Sequence, residues 1–191
     1  MPRNRGKMIF ITGGARSGKS SWAEKLAANL GGKVTYIATC IPGDEEMVER
    51  VARHQARRPA EWQTIEEAHH PAQIIQELDE PERVFLLDCL TIFLSNRLLA
   101  MEPLDREKRI LNEVTELARV SHDSLATVII VSNEVGLGIV PGDPLSREYR
   151  DLIGRANQIV AEYADKAYLC VAGIPVDLKA LAAKMVGPLS P

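Results

Sequence analysis

The residues in this sequence with the plainest chemistry are Gly13, Gly18, Lys19 and Ser20, spaced as G-x-x-x-x-G-K-S. Glycines at those positions let the backbone curl until successive N–H groups point at one anion, and the positive end of a following helix faces the same point. Lys19 can bridge the outer phosphates of a nucleoside triphosphate, and the Ser20 hydroxyl is placed to ligate Mg2+. An apolar run precedes the loop and a helix-forming run follows it, so the pattern predicts a P-loop rather than a Gly/Ser-rich turn. Asp88 closes the apolar run Val84-Phe-Leu-Leu-Asp88. A carboxylate there can hold Mg2+ opposite Ser20, as a Walker B acid does; alternatively it caps the helix expected from Thr91.

Arg50, His54 and Arg57 are spaced i, i+4, i+7 and share one face of a predicted helix over residues 44–55. Flanking cations hold an imidazole toward its neutral form, with a ring nitrogen free as a nucleophile, and the arginines would neutralise a phosphate brought to it. Read from the residues alone, a single histidine on a charged helix is more often solvated surface. His69, His70 and His122 have no acidic or cysteine partner at ligand spacing and read as structural. Cys40, Cys89 and Cys170 are widely separated, without C-x-x-C spacing, and read as reduced thiols of a cytoplasmic protein.

These groups need a scaffold, and 191 residues suit one domain with a substantial core. Strands are expected over 8–12, 33–38, 62–66, 84–88, 126–131 and 167–171. Helices are expected over 19–30, 44–55, 71–78, 91–99, 105–120 and 146–164. Alternation of apolar runs with helical segments predicts an α/β class, a single-domain P-loop (RecA-like) three-layer fold with a mainly parallel central sheet. Residues 1–7 are expected to be a loose tail before the domain at 8–191. In such sheets ligands sit beyond the carboxyl ends of the strands, where Thr39, Cys40, Asp88, Cys89, Ser132 and Asn133 fall. A net charge of −3 and 5% aromatic residues argue against a nucleic-acid partner. No apolar run is long enough to span a membrane.

Taken in order, Thr12-Gly-Gly-Ala-Arg-Ser-Gly-Lys-Ser20, Tyr36-Ile-Ala-Thr39, Arg50-Val-Ala-Arg-His54, Asp88-Cys-Leu-Thr91 and Asn133-Glu-Val-Gly-Leu-Gly-Ile-Val-Pro141 form a more specific pattern. With Arg58-Pro59, Trp62, Thr64 and Glu66, they resemble the bifunctional adenosylcobinamide kinase / adenosylcobinamide-phosphate guanylyltransferase family of cobalamin biosynthesis. The resemblance implies transfer of a γ-phosphoryl group from ATP or GTP to the aminopropanol hydroxyl of adenosylcobinamide. It then implies transfer of GMP from GTP to that phosphate, through a guanylylated histidine that falls on His54. By the same resemblance GTP contacts Gly13, Gly14, Ala15, Arg16, Ser17, Gly18, Lys19 and Ser20, then Ala38, Thr39 and Cys40, then Gln55, Ala56, Arg57 and Arg58, with Glu66 and Asp88. The family also implies Mg2+ as cofactor and a homotrimer. Glu66 could accept hydrogen bonds from the guanine N1–H and amino group. The Asn133–Pro141 run either shapes the corrinoid side or is a plain structural loop, and Arg147, Arg150 and Asn157 reach either phosphates or solvent. The rival readings are a small-molecule P-loop kinase without nucleotidyl transfer, for which His54 is dispensable, and a RecA-like ATPase.

Overall fold

The computed structural model describes residues 5–41, 49, 52, 55, 56 and 58–186. Three runs of apolar residues without alternation become strands buried on both faces, as parallel strands between helical layers must be. They are β1 (Met8–Thr12), β4 (Arg83–Asp88) and β5 (Thr127–Val131). With β2 (Lys33–Ala38), β3 (Gln63–Glu66), β6 (Lys166–Val171) and β7 (Ile174–Asp177) they form one seven-stranded sheet in the order β3-β2-β4-β5-β1-β6-β7. Every pairing is parallel except β6 with β7. The single-domain α/β expectation holds.

The described helices are α1 (Lys19–Leu30), α2 (Pro71–Glu77), α3 (Leu90–Ala100), α4 (Arg106–Asp123), α5 (Pro144–Tyr163) and α6 (Leu178–Val186). On one side of the sheet, Ala23 and Ala27 of α1 pack against Ile9, Ile11, Tyr36, Leu86 and Val131. On the other, Phe93 of α3, Val114 and Leu117 of α4 and Ile153 and Val160 of α5 pack against Phe10, Phe85, Leu87 and Ile130. Small alanines on α1 let it lie close to the sheet directly behind the loop it follows. Since side chains alternate along a strand, Tyr36 and Asp88 share α1's face with Val34 and Leu86.

Register sets the distances between the chemical groups. Glu66 pairs with Ala38, Ala38 with Asp88, Asp88 with Val131, and Val131 with Ile11, all on one row across the sheet. At about 4.8 Å per strand, Asp88 sits ~10 Å from the end of β1 and Glu66 ~19 Å.

Two expectations are corrected, and the stretch after Val171, for which the pattern gave none, gains a structure. Residues 5–7 are not loose: Arg5 forks onto both oxygens of Asp165 at 2.9 and 2.6 Å, the Gly6 N–H donates to the Ser124 carbonyl, and the Lys7 carbonyl accepts from Val128. The stretch after Val171 folds back as the antiparallel β7 and then α6. The helix expected from residue 146 begins at Pro144, with the Asp143 side chain accepting from the Ser146 N–H at 2.8 Å. The predicted 44–55 helix lies mostly outside the described residues.

Candidate functional site

The 13–18 loop leaves β1 and turns sharply into α1. Arg16 at φ 58° and Gly18 at φ 89° are left-handed, with Ser17 between them donating to the Gly14 carbonyl at 3.2 Å. Alternating handedness of this kind turns neighbouring N–H groups to one side and makes an anion-binding concavity. Gly18 occupies the N-cap position of α1 with no side-chain cap, so no side chain takes the leading N–H groups. A Cβ at Gly13 would meet the Cys170 carbonyl oxygen at 2.5 Å and the Ser17 Oγ at 2.6 Å, so only glycine fits. The loop is braced from two sides. The Glu134 N–H donates to the Gly13 carbonyl at 3.1 Å, and the Gly173 N–H, in the β6–β7 turn, to the Ser17 carbonyl at 2.9 Å. Lys19, almost wholly buried, donates from Nζ to the Gly14 carbonyl at 3.1 Å. The Ser17 Oγ and Thr12 Oγ1 are buried and have no hydrogen-bond partner among the described residues.

Asp88 ends β4 on the same face. It does not cap α3, whose N-cap position is Cys89 without a side-chain cap. One carboxylate oxygen, Oδ2, accepts from the Tyr36 hydroxyl at 3.0 Å. The Asp88–Cys89 peptide is cis. Burial of the Tyr36 phenol and the neighbouring Asp88 charge push its pKa up, so it stays a neutral donor. The Arg58 guanidinium stacks over the face of that ring, 3.3 Å from its centroid, and donates to the Thr64 hydroxyl at 3.3 Å. Its Nε is buried and has no acceptor among the described residues.

Beyond Asp88 a polar network fixes the strand ends. Thr39 Oγ1 donates to the Cys89 carbonyl at 2.8 Å and accepts from the Cys89 N–H at 2.9 Å. The Cys89 thiol lies 2.9 Å from Thr91 Oγ1, and burial, then the Asp88 charge, pushes its pKa up to about 11. It is therefore a thiol near neutral pH and a poor nucleophile. Asn96 Nδ2 donates to the Thr39 carbonyl at 2.8 Å, and Asn133 Nδ2 to Thr91 Oγ1 at 3.0 Å. Asn157 accepts from the Ser132 hydroxyl at 2.6 Å and donates to the Asn133 carbonyl at 3.0 Å. The sequence pattern offered phosphate or solvent for Arg147, Arg150 and Asn157, and Asn157 faces neither. Arg147 holds the carbonyls of Pro141 and Gly142, and Arg150 pairs with Asp151. In the loop itself Leu137, Ile139 and Val140 stand 87%, 96% and 59% exposed.

Among the expected site residues, the structure thus gathers Gly13, Gly14, Ala15, Arg16, Ser17, Gly18, Lys19 and Ser20 at one end of the sheet, with Ala38, Thr39, Cys40 and Asp88. The Arg58 guanidinium lies over the Tyr36 ring, and Glu66 stands exposed at the end of the outer strand. Gln55 is helical and the Ala56 N–H donates to the Ala52 carbonyl. His54, Arg50 and Arg57 lie outside the described residues. No group of three His, Cys, Asp or Glu side chains suited to a metal is found among the described residues. One hydroxyl and one carboxylate fit Mg2+, which keeps several waters and binds through one or two carboxylates plus substrate phosphates. Tyr36 stands in the family pattern only as part of its strand run, with no role of its own legible there, and its contact with Asp88 is made 52 residues away.

A glycine loop between strand and helix, an acid two strands away and a mainly parallel sheet define a P-loop nucleotide-binding α/β protein. Two solved structures share the fold. An ATP synthase subunit of Nanoarcheaum equitans aligns at TM-score 0.50 and 14% identity, over 96% of this chain and 48% of that one. A protein of Pyrococcus horikoshii aligns at 0.54 and 6%, over 91% and 86%. The family model for cobinamide kinase / cobinamide phosphate guanyltransferase matches residues 9–178, and the chain belongs to that family. The bifunctional adenosylcobalamin biosynthesis protein CobP of Pseudomonas aeruginosa is 47% identical over 170 residues, covering 89% of this chain and 96% of that one. The proteins of the same description called CobU in Salmonella typhimurium and Escherichia coli are 41% and 39% identical over 181 residues, covering 90% of this chain and 99% of each.

Proposed function

We propose that this chain phosphorylates the aminopropanol hydroxyl of adenosylcobinamide and then guanylylates the product. The observation that carries this is the braced 13–18 loop with Lys19 and Ser20 at its end and Asp88 two strands away, in a chain of the cobinamide kinase / guanyltransferase family. In the first reaction the hydroxyl oxygen of adenosylcobinamide bonds to the γ-phosphorus of ATP or GTP. The bond to the bridging oxygen breaks, the nucleoside diphosphate leaves, and the hydroxyl proton passes to solvent or base. Lys19 and the loop N–H groups neutralise the charge on the transferring group. Ser20 and Asp88 would hold Mg2+, which when bound would supply further charge neutralisation to the transferring group.

In the second reaction a ring nitrogen of His54 bonds to the α-phosphorus of GTP and pyrophosphate leaves. The phosphate oxygen of adenosylcobinamide phosphate then displaces the imidazole, giving adenosylcobinamide-GDP. Transfer of a whole nucleotide through a covalent enzyme requires such a nucleophile, and imidazole is a good leaving group at phosphorus. Gln55, Ala56, Arg57 and Arg58 accompany the histidine along the chain, and Glu66 is proposed to accept from guanine. The enzyme works in the cytoplasm as a homotrimer; no helix among the described residues is long and apolar enough to cross a membrane.

Mass spectrometry after incubation with GTP and Mg2+ tests the reading. A GMP-sized adduct on His54, absent from His54→Ala, is expected. Phosphorylated cobinamide without any adduct would leave a kinase alone.

A further inference from the structure

We propose that Tyr36 is a positioning residue for this chemistry: its hydroxyl sets the metal-facing carboxylate of Asp88, and its ring seats Arg58. The inference rests on the Mg2+-nucleotide reading above. Tyr36 is 3% exposed, on the α1 face of β2, and Asp88 lies on the adjacent strand β4 with its Cα paired to Ala38, two residues along. The phenol therefore reaches up one side-chain repeat to the carboxylate. It donates to Oδ2 at 3.0 Å. This bond fixes one of the two carboxylate oxygens. A carboxylate with one oxygen pinned by a neutral donor presents its other oxygen in a defined direction, and such support around a ligand is worth ten- to a hundredfold in metal affinity.

The face of the ring carries Arg58. Its guanidinium lies 3.3 Å from the ring centroid, with Nη1 on Thr64 and a buried Nε that no described residue accepts from. A guanidinium on an aromatic face keeps its in-plane N–H groups available for a phosphate. One side chain thus fixes the acid and the arginine together, the acid through its hydroxyl and the arginine through its face. The two roles are separable by substitution. Tyr36→Phe keeps the face and removes only the hydroxyl. Arg58→Met leaves the hydroxyl bond and removes the cation.

The test uses the whole chain with a GTP analogue carrying a methylene between the α- and β-phosphorus, which cannot transfer GMP. Mn2+ affinity of the nucleotide complex is read by electron paramagnetic resonance, and analogue affinity in EDTA by calorimetry. Tyr36→Phe is expected to weaken Mn2+ about tenfold while analogue affinity without metal stays within about twofold. Arg58→Met is expected to do the reverse: Mn2+ held as in the wild type, metal-free analogue about tenfold weaker. Wild-type Mn2+ affinity in Tyr36→Phe, or equal losses of metal and nucleotide in Arg58→Met, overturns the assignment. Failure of the wild type to bind Mn2+ with the analogue would instead sink the function on which it rests.

Discussion

Asn157 joins the long α5 to the end of β5, and replacing it tests whether the polar network behind the site is structural in the way the contacts imply. Its side chain is 8% exposed, Ser132 is fully buried, and the two bonds between them and Asn133 are 2.6 and 3.0 Å. Asn157→Leu fills similar space but removes both bonds. Each hydrogen bond is worth about 1 kcal/mol net, and each buried group left without a partner adds ~1 kcal/mol. With two bonds lost, the variant is expected to be less stable by roughly 3 kcal/mol, counting partial recovery by water at Asn133. For a chain of this size that lowers Tm by about 6–12 °C. Calorimetry and urea unfolding read it. Adding Ser132→Ala removes the stranded hydroxyl and is expected to restore about 1 kcal/mol, a coupling that two unrelated sites would not give. Because the Asn133 carbonyl begins the exposed loop through Pro141, the single variant should also lose turnover while nucleotide affinity holds. A Tm within about 2 °C of wild type, or no coupling in the double variant, would refute the reasoning.

Other outcomes follow from particular contacts. Gly18 and Gly173 are both left-handed, but a Cβ on Gly18 would lie 3.0 Å from the Gly173 Cα whereas one on Gly173 meets nothing within 4 Å. Gly18→Ala is therefore expected to cost more than tenfold in nucleotide affinity, and Gly173→Ala only about 1 kcal/mol of stability, each measured by calorimetry. Lys19→Met is expected to slow phosphoryl transfer by ~10²-fold or more in a coupled assay. The Arg5 hydrogen bonds hold Asp165 down to about 2 against burial, below its usual 3.8. A depressed carboxylate stabilises above its unfolded pKa, so this contribution is complete above about pH 4 and is lost as pH falls through 2. Discounted for its partial exposure it amounts to ~1 kcal/mol. Asp165→Asn should remove that amount at pH 7, and the gap from wild type should close toward pH 2 in urea titrations.

Much of the architecture was legible because the central strands are buried on both faces and so consist of unbroken apolar residues. Val84 to Asp88, Thr127 to Val131 and the run before Gly13 could hardly be anything else in a chain where such runs alternate with helical segments. The loop at 13–18 was legible because its glycines are demanded by backbone geometry and the Cys170 carbonyl. Strand β7 was not. It is four residues long, carries Pro175 and pairs on one side only, and the turn before it uses Ala172 at φ 51° where a glycine pair would have signalled a hairpin. Long-range polar contacts were equally silent. Arg5 meets Asp165 across 160 positions, and nothing local distinguishes that arginine from its neighbours. Tyr36 is the same case inside the site, since strand propensity alone accounts for an aromatic there. Asn157 was misjudged for a related reason: a polar residue on a helix suggests a surface, and only the fold reveals that its face turns inward.

Two transfers from one crevice require that the γ- and α-phosphorus of a nucleotide meet different groups. The sheet order supplies the separation, because the loop after β1 and the chain leaving β2 are three strands apart, about 14 Å. A triphosphate seated on Gly13 to Ser20 and directed toward β2 would pass Asp88 on the way. Arg58, pinned on Tyr36, marks the far end. His54 lies four residues before it, and four residues of extended chain reach at most ~14 Å. That reach matches the three-strand separation, so on the proposed function the order of the strands, rather than any one side chain, sets how far apart the two transfers are held.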